Sequence, residues 1–154
     1  MTKQDDSTGV FLVSILYVQP EFEELVRRYP DYVNIGFKGH RFDPIDRCRA
    51  VSRATREVTF EYIHLSRPVA MEEALVEMSH RGFGPALYEE LLGFAERHPD
   101  EQRKHPIVAL GSVSQLRGGD RVPFLWSTKD GRGLHLSGVD KVWSGSCRFL
   151  AVRR

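Results

Sequence analysis

The sequence predicts a single α+β domain, and three observations carry that prediction. Two runs rich in β-branched and aromatic residues, Val10 to Val18 and Val58 to Leu65, read as strands. Between Leu65 and Pro106, two segments carry one-sided apolar stripes at helical spacing. After Pro106 the chain breaks into short apolar stretches separated by glycine turns, which is the pattern of small strands.

Taken in order, Val10 to Val18 is almost continuously apolar, as a strand buried on both faces would be. Pro20 suits the first turn of a short helix, along which Phe22, Leu25, Val26 and Tyr29 form one stripe, ended by Pro30-Asp31. Tyr32 to Phe37 reads as a second strand, and Pro44 to Arg56 as a basic helix. Val58 to Leu65 is the third strand. Ser66-Arg67-Pro68 then starts a helix with Met71, Ala74, Leu75 and Met78 on one face and Glu72, Glu73 and Glu77 off it. Gly82 suits the left-handed residue that ends it. Pro85 opens the next helix, where Leu87, Leu91, Phe94 and Ala95 share a face. His98-Pro99 breaks it, and Asp100 to Lys104 makes a short extra turn. Four strands follow, at Ile107 to Leu110, Val122 to Trp126, Leu134 to Leu136 and Cys147 to Val152. Turns at Arg117-Gly118-Gly119-Asp120 and Lys129 to Gly133 lie among them.

The 154 residues are one domain's length and can bury a sizeable core without a disulfide or metal. With 41% hydrophobic and 28% charged residues, the composition is that of a globular chain, not a disordered one. The formal net charge of +1 argues against nucleic-acid binding through overall charge. One local exception is residues 38–56, where six basic side chains (Lys38, Arg41, Arg47, Arg49, Arg53, Arg56) face two acids, Asp43 and Asp46. That stretch reads either as a phosphate-binding face or as a solvated surface, and no aromatic residues are interleaved with the charges. Cys48 and Cys147 read as free thiols in a reducing compartment. The run at Val10 is too short to span a membrane. Two acids precede it and Gln19-Pro20-Glu21 follows it, which points to a cytoplasmic protein rather than a signal peptide.

Nothing in the sequence supplies an active site. None of the six histidines is paired at metal-ligand spacing, and there is no nucleophile elbow, phosphate loop or dinucleotide turn. The expectation is no enzyme, no metal and no cofactor. What stands out is the glycine-punctuated stretch from Leu134 to Ser146. It reads either as a ligand-facing surface of small polar groups around an aromatic anchor, Trp143, or as an irregular turn region with Trp143 in the core. On a strand, residues two apart share a face, so Leu134 and Leu136 would point inward and His135 and Ser137 outward. The candidate ligand-binding set is His135, Ser137, Val139, Asp140, Lys141, Trp143, Ser144 and Ser146, expected on one exposed face with Trp143 beside it.

Several pieces also carry a family resemblance. They are Arg67-Pro68 with Glu72-Glu73-Ala74-Leu75, Glu89 to Ala95, Pro99 to Ser112, Val122 to Trp126 and the closing Cys147 to Arg154. They resemble a candidate-phylum bacterial family ending in Arg-Phe-Leu-Ala-Val-Arg. Its stretch before that ending is similar to the variable region of proteins diversified by diversity-generating retroelements. The resemblance implies a C-type-lectin-like fold over residues 58–154, with two helices, short antiparallel strands, and the first and last strands side by side. It also implies that the variable positions form the ligand-binding face, the ligand being an unspecified protein or small molecule. Residues 1–57 fall outside it and are expected to form a strand-helix extension packed on the main domain. The Glu-Pro-Asn and Trp-Asn-Asp calcium motifs of sugar-binding lectins are absent, and Val69-Ala70 lacks the helix-capping Thr of similar sequences.

Overall fold

The structure is a computed structural model that describes residues 9–116 and 118–154. Its ten-stranded main sheet contains β1 (Val10–Ile15), β2 (Tyr32–Val33), β3 (Asp43–Pro44), β4 (Arg56–Ile63), β6 (Phe83–Pro85), β7 (Ile107–Val108), β8 (Ser112–Leu116), β9 (Gly119–Thr128), β10 (Gly131–Gly138) and β12 (Arg148–Arg153). A second, two-stranded sheet joins β5 (Val69–Ala70) to β11 (Val142–Trp143). The helices are α1 (Phe22–Arg28), α2 (Met71–His80), α3 (Tyr88–Arg97) and α4 (Glu101–Lys104). The main path runs β1-β4-β12-β7-β9-β10-β2, and β6 and β8 pair alongside it with β12 and β9. Most pairs are antiparallel; β7 on β12 and β2 on β10 are parallel. The architecture is therefore mixed α+β with a mostly antiparallel sheet.

Strand alternation sends side chains to two separate cores, one on each face of the sheet. On one face lie Phe11, Val13 and Ile15 of β1, Val58 and Phe60 of β4, Leu150 and Val152 of β12, Leu125 of β9 and Leu134 of β10. Leu25 and Tyr29 from the α1 segment and Leu91, Leu92, Phe94 and Ala95 of α3 cover them. On the other face lie Ile63, Val108, Val122, Phe149 and Ala151, covered by Ala74, Leu75 and Met78 of α2 and by Trp143. The expected antiparallel pairing of the Val58 strand with the C-terminal strand is present, with Phe149 opposite Ile63 and Val152 opposite Phe60. The two amphipathic helices are present as well, and Gly82 takes φ +84° at the end of α2.

A buried carboxylate ties Tyr17 and Arg154 to this frame. Glu90, fully buried, accepts from the backbone N–H of Leu87 at 2.7 Å, from the Tyr17 hydroxyl at 2.6 Å and from Arg154 Nη2 at 2.9 Å. The paired guanidinium supplies the counter-charge that a buried carboxylate needs. Burial and the Glu90 partner push the Tyr17 phenol up to about 12.

Several sequence expectations change. The helices start later than Ser66-Arg67-Pro68 and Pro85 suggest: α2 begins at Met71 after β5, and Pro85 lies in β6 with α3 beginning at Tyr88. Val10 to Val18 is not buried on both faces: β1 ends the strand order, and Leu12 and Leu16 are 48% and 66% exposed. Pro44 to Arg56 forms no α-helix, only a 3-10 turn at Asp46–Cys48. Of that turn only Cys48 is buried, and a helix without an apolar stripe to bury has little to hold it. Tyr32 to Phe37 is a strand only at Tyr32–Val33, then a 3-10 turn capped by the Asn34 side chain. Ser112–Leu116 is an additional strand, forming a hairpin with β9 in which Leu116 stands opposite Gly119. Arg117, in the expected turn there, and residues 1–8 lie outside the described residues. From residue 9 onward the N-terminal part is woven into the main sheet: β1 pairs β4, β2 pairs β10 and β3 pairs β8.

Candidate ligand-binding surface

The hairpin of β9 and β10 builds the surface. Its register sets His135 opposite Phe124 and Ser137 opposite Val122, while Leu134 and Leu136 pack into the α1–α3 core as the alternation requires. His135 and Ser137 thus share the other face, but that face is covered at one end. There Val122, Val139 and Trp143 belong to the α2-side core, and Ser137 is only 9% exposed. At the other end the face is open. His135 is half-buried, stacked on Tyr32 at 4.6 Å and on Phe124 at 5.2 Å, with Trp126 edge-on at 5.2 Å. Tyr32 and Trp126 are 46% and 42% exposed. Burial pushes the His135 pKa down, favouring the neutral ring, which joins the aromatic surface.

Residues 139–147 form the roof of the covered end. Trp143 is 1% exposed, packed edge-on against Phe124 at 5.8 Å and Phe149 at 6.4 Å. It anchors the roof and is not available as a ligand-facing ring; this corrects the expectation that placed it beside the exposed set. Lys141 reaches over both, its Nζ lying 5.7 Å from the Phe124 ring centre and 4.9 Å from that of Trp143. Asp140, Lys141, Ser144 and Ser146 are exposed, and Val139 is half-buried against the core. Ser137, Val139 and Trp143 therefore leave the expected exposed set, because the loop folds back over the strand that precedes it.

The serine end of the roof is pinned to the turn before β5. His64 Nε2 donates to the Gly145 carbonyl at 2.9 Å. A Cβ on Gly145 would stand 2.8 Å from the Arg67 nitrogen, so this close approach requires glycine. Ser66, in the left-handed region at φ 59°, has its hydroxyl 3.4 Å from the same His64 nitrogen. That nitrogen spends its proton on a carbonyl, so it cannot take one from Ser66, and the pair is no activated nucleophile. Ser144 and Ser146 hydroxyls bond each other at 2.8 Å. Among the described residues, no three His, Cys, Asp or Glu side chains are placed to hold a metal ion. Among them too, no helix is long and apolar enough to cross a membrane. Cys48 and Cys147 are buried free thiols.

Three of the six basic side chains of residues 38–56 are engaged in ion pairs. Arg47 pairs with Glu72 at 2.7 Å, Arg49 with Asp46 at 2.6 Å and Arg53 with the buried Glu89. A phosphate-binding face needs cations free to release counterions, and these three are already engaged.

Tyr32, Phe124 and Trp126 were not among the residues singled out by sequence. Phe124 and Trp126 carried a usable signal, being two apart on a strand and hence on one face. Tyr32 carried none, because its place beside His135 depends on a parallel pairing of β2 with β10 across a hundred residues. No family model matches the chain, and no curated protein and no solved structure is detectably similar to it.

Proposed function

We propose that this chain is a non-catalytic ligand-binding protein with a C-type-lectin-like scaffold, whose C-terminal surface is diversified by a retroelement. The ligand meets the open end of β9 and β10 and the outer side of residues 139–147. The observation that carries this reading is the division of labour between neighbouring residues. Leu134, Trp143, Cys147 and Phe149 to Val152 are buried, whereas His135, Asp140, Lys141, Ser144 and Ser146 keep solvent-facing atoms. Exposed positions tolerate exchange within about 0.5 kcal/mol each, so such a surface can vary over a constant core. The lectin-like reading is supported by β4 and β12, the first and last strands of residues 58–154, pairing with α2, α3 and the short strands between them.

The test is to sequence the DNA flanking the gene. A near-copy of the coding sequence for residues 134–154, differing mainly at adenines and lying beside a reverse-transcriptase gene, is expected. Flanking DNA with neither would overturn diversification as the origin of the surface.

A further inference from the structure

The open aromatic end has a chemical preference of its own, and the argument rests on the ligand-binding reading above. Gly133 of β10 is paired with Tyr32 on one side and with Trp126 on the other, so the three lie in one cross-strand row. A Cβ on Gly133 would meet His135 Nε2 at 2.6 Å, so the imidazole leans back over the glycine between the two flanking rings. The result is a groove of about 380 Å³ walled by Tyr32, His135 and Trp126, with Asp31 and Asp130 also in its lining, the Asp31 carboxylate accepting the Arg132 backbone N–H at 3.1 Å. The one arginine in its lining is turned away: the Arg132 guanidinium lies 5.2 Å over Tyr29, and its Nε donates to Gln102.

From these observations we infer that the groove takes an alkylammonium group, the head of a lysine side chain on a polypeptide partner. Ring faces carry negative potential, and the two lining carboxylates add to it, while the groove holds no cation to compete. The chain supplies its own precedent next door, where the Lys141 ammonium sits over Phe124 and Trp143. Phe124 links the groove to the roof, stacked on His135 at 5.2 Å and lying 5.7 Å from the Lys141 Nζ. A lysine anchored in the groove extends its backbone towards the roof, which an isolated small cation cannot use.

The experiment titrates the full chain with Nα-acetyl-lysine methylamide and reads the Trp126 indole N–H by NMR. The chain has two tryptophans, so Trp126→Phe assigns the signal. Capped norleucine, the same chain length without charge, is the control, and choline and methyl glucoside are further arms. Lysine is expected to shift Trp126 saturably, at least about fivefold more tightly than norleucine, which is the effect of one exposed cation–π contact of about 1 kcal/mol. Asp130→Asn, at an exposed lining position, should weaken lysine and leave norleucine unchanged. A lysine embedded in a short peptide should bind more tightly than choline. Equal binding of lysine and norleucine, or a preference for methyl glucoside, overturns the cation inference while leaving the surface a binding site. Choline binding as tightly as the peptide overturns the polypeptide source. No shift of Trp126 with any probe overturns both the inference and the placement of the site.

Discussion

Replacing Trp143 with alanine separates the two roles that a tryptophan in the 139–147 roof could have. Its indole is 1% exposed and wedged between Phe124 and Phe149. A buried tryptophan removes roughly 150–250 Å² from water, worth about 4–6 kcal/mol at about 25 cal/mol per Å². Measured aromatic-to-alanine costs in cores run about 3–5 kcal/mol. The indole Nε1–H is buried with no partner among the described residues, which offsets about 1 kcal/mol of that gain. Trp143→Ala should therefore cost about 3–4 kcal/mol and lower Tm by roughly 6–16 °C for a chain of this size. Trp126→Ala, at a position 42% exposed, should cost under about 1 kcal/mol. Urea unfolding followed by circular dichroism measures both. Fluorescence adds a check, since Trp126→Phe leaves a blue-shifted emitter and Trp143→Phe a red-shifted one. If Trp143→Ala unfolds within about 1 kcal/mol of the parent, or Trp126→Ala costs more than it, the roof is not anchored as described.

Three further outcomes follow from the frame. Ala70 caps α2 with no side-chain acceptor, only the Glu73 carboxylate reaching back to its N–H at 3.1 Å; Ala70→Thr should add about 1 kcal/mol in the same urea assay. Burial, with Arg148 adding to it, pushes His105 from its ordinary 6.5 down to about 4. The unfolded chain thus binds a proton that the folded one refuses between those values. Stability is full above pH 6.5 and falls as pH drops towards 4, by about 1 kcal/mol from pH 7 to 5 after allowing for solvent screening; His105→Gln should flatten that slope. A Cβ on Gly111 would stand 2.5 Å from the Ala86 carbonyl oxygen, so Gly111→Ala should lower stability by about 1–3 kcal/mol in thermal unfolding.

Local signals in the sequence reached the frame and stopped short of the site. Both helices with apolar stripes, and the pairing of the Val58 strand with the C-terminal strand, were legible because apolar periodicity reports directly on burial. The Leu134/His135 alternation was legible for the same reason. Ser137 was misplaced because alternation says which face a residue takes, not whether another segment covers that face. The basic stretch after Pro44 reads as helical by composition, yet it has no apolar stripe; the β3–β8 pairing, the Ile45 N–H to Gly111 carbonyl bond, buried Cys48 and the Arg53–Glu89 pair fix its path instead. The aromatic groove needs Tyr32, Trp126 and His135 together, and that assembly depends on strand pairings between distant parts of the chain.

Randomising the outward positions shows whether a variable binding surface can sit over a constant core. A library varied at His135, Asp140, Lys141, Ser144 and Ser146, with Leu134, Val139, Trp143 and Phe149 retained, is displayed and scored for folding by resistance to proteolysis. It is then selected on a protein unrelated to any natural ligand. Most members should fold, and the selected binders should lose affinity when those positions revert to the parent residues. A library that mostly fails to fold, or binders whose affinity survives reversion, would contradict that arrangement.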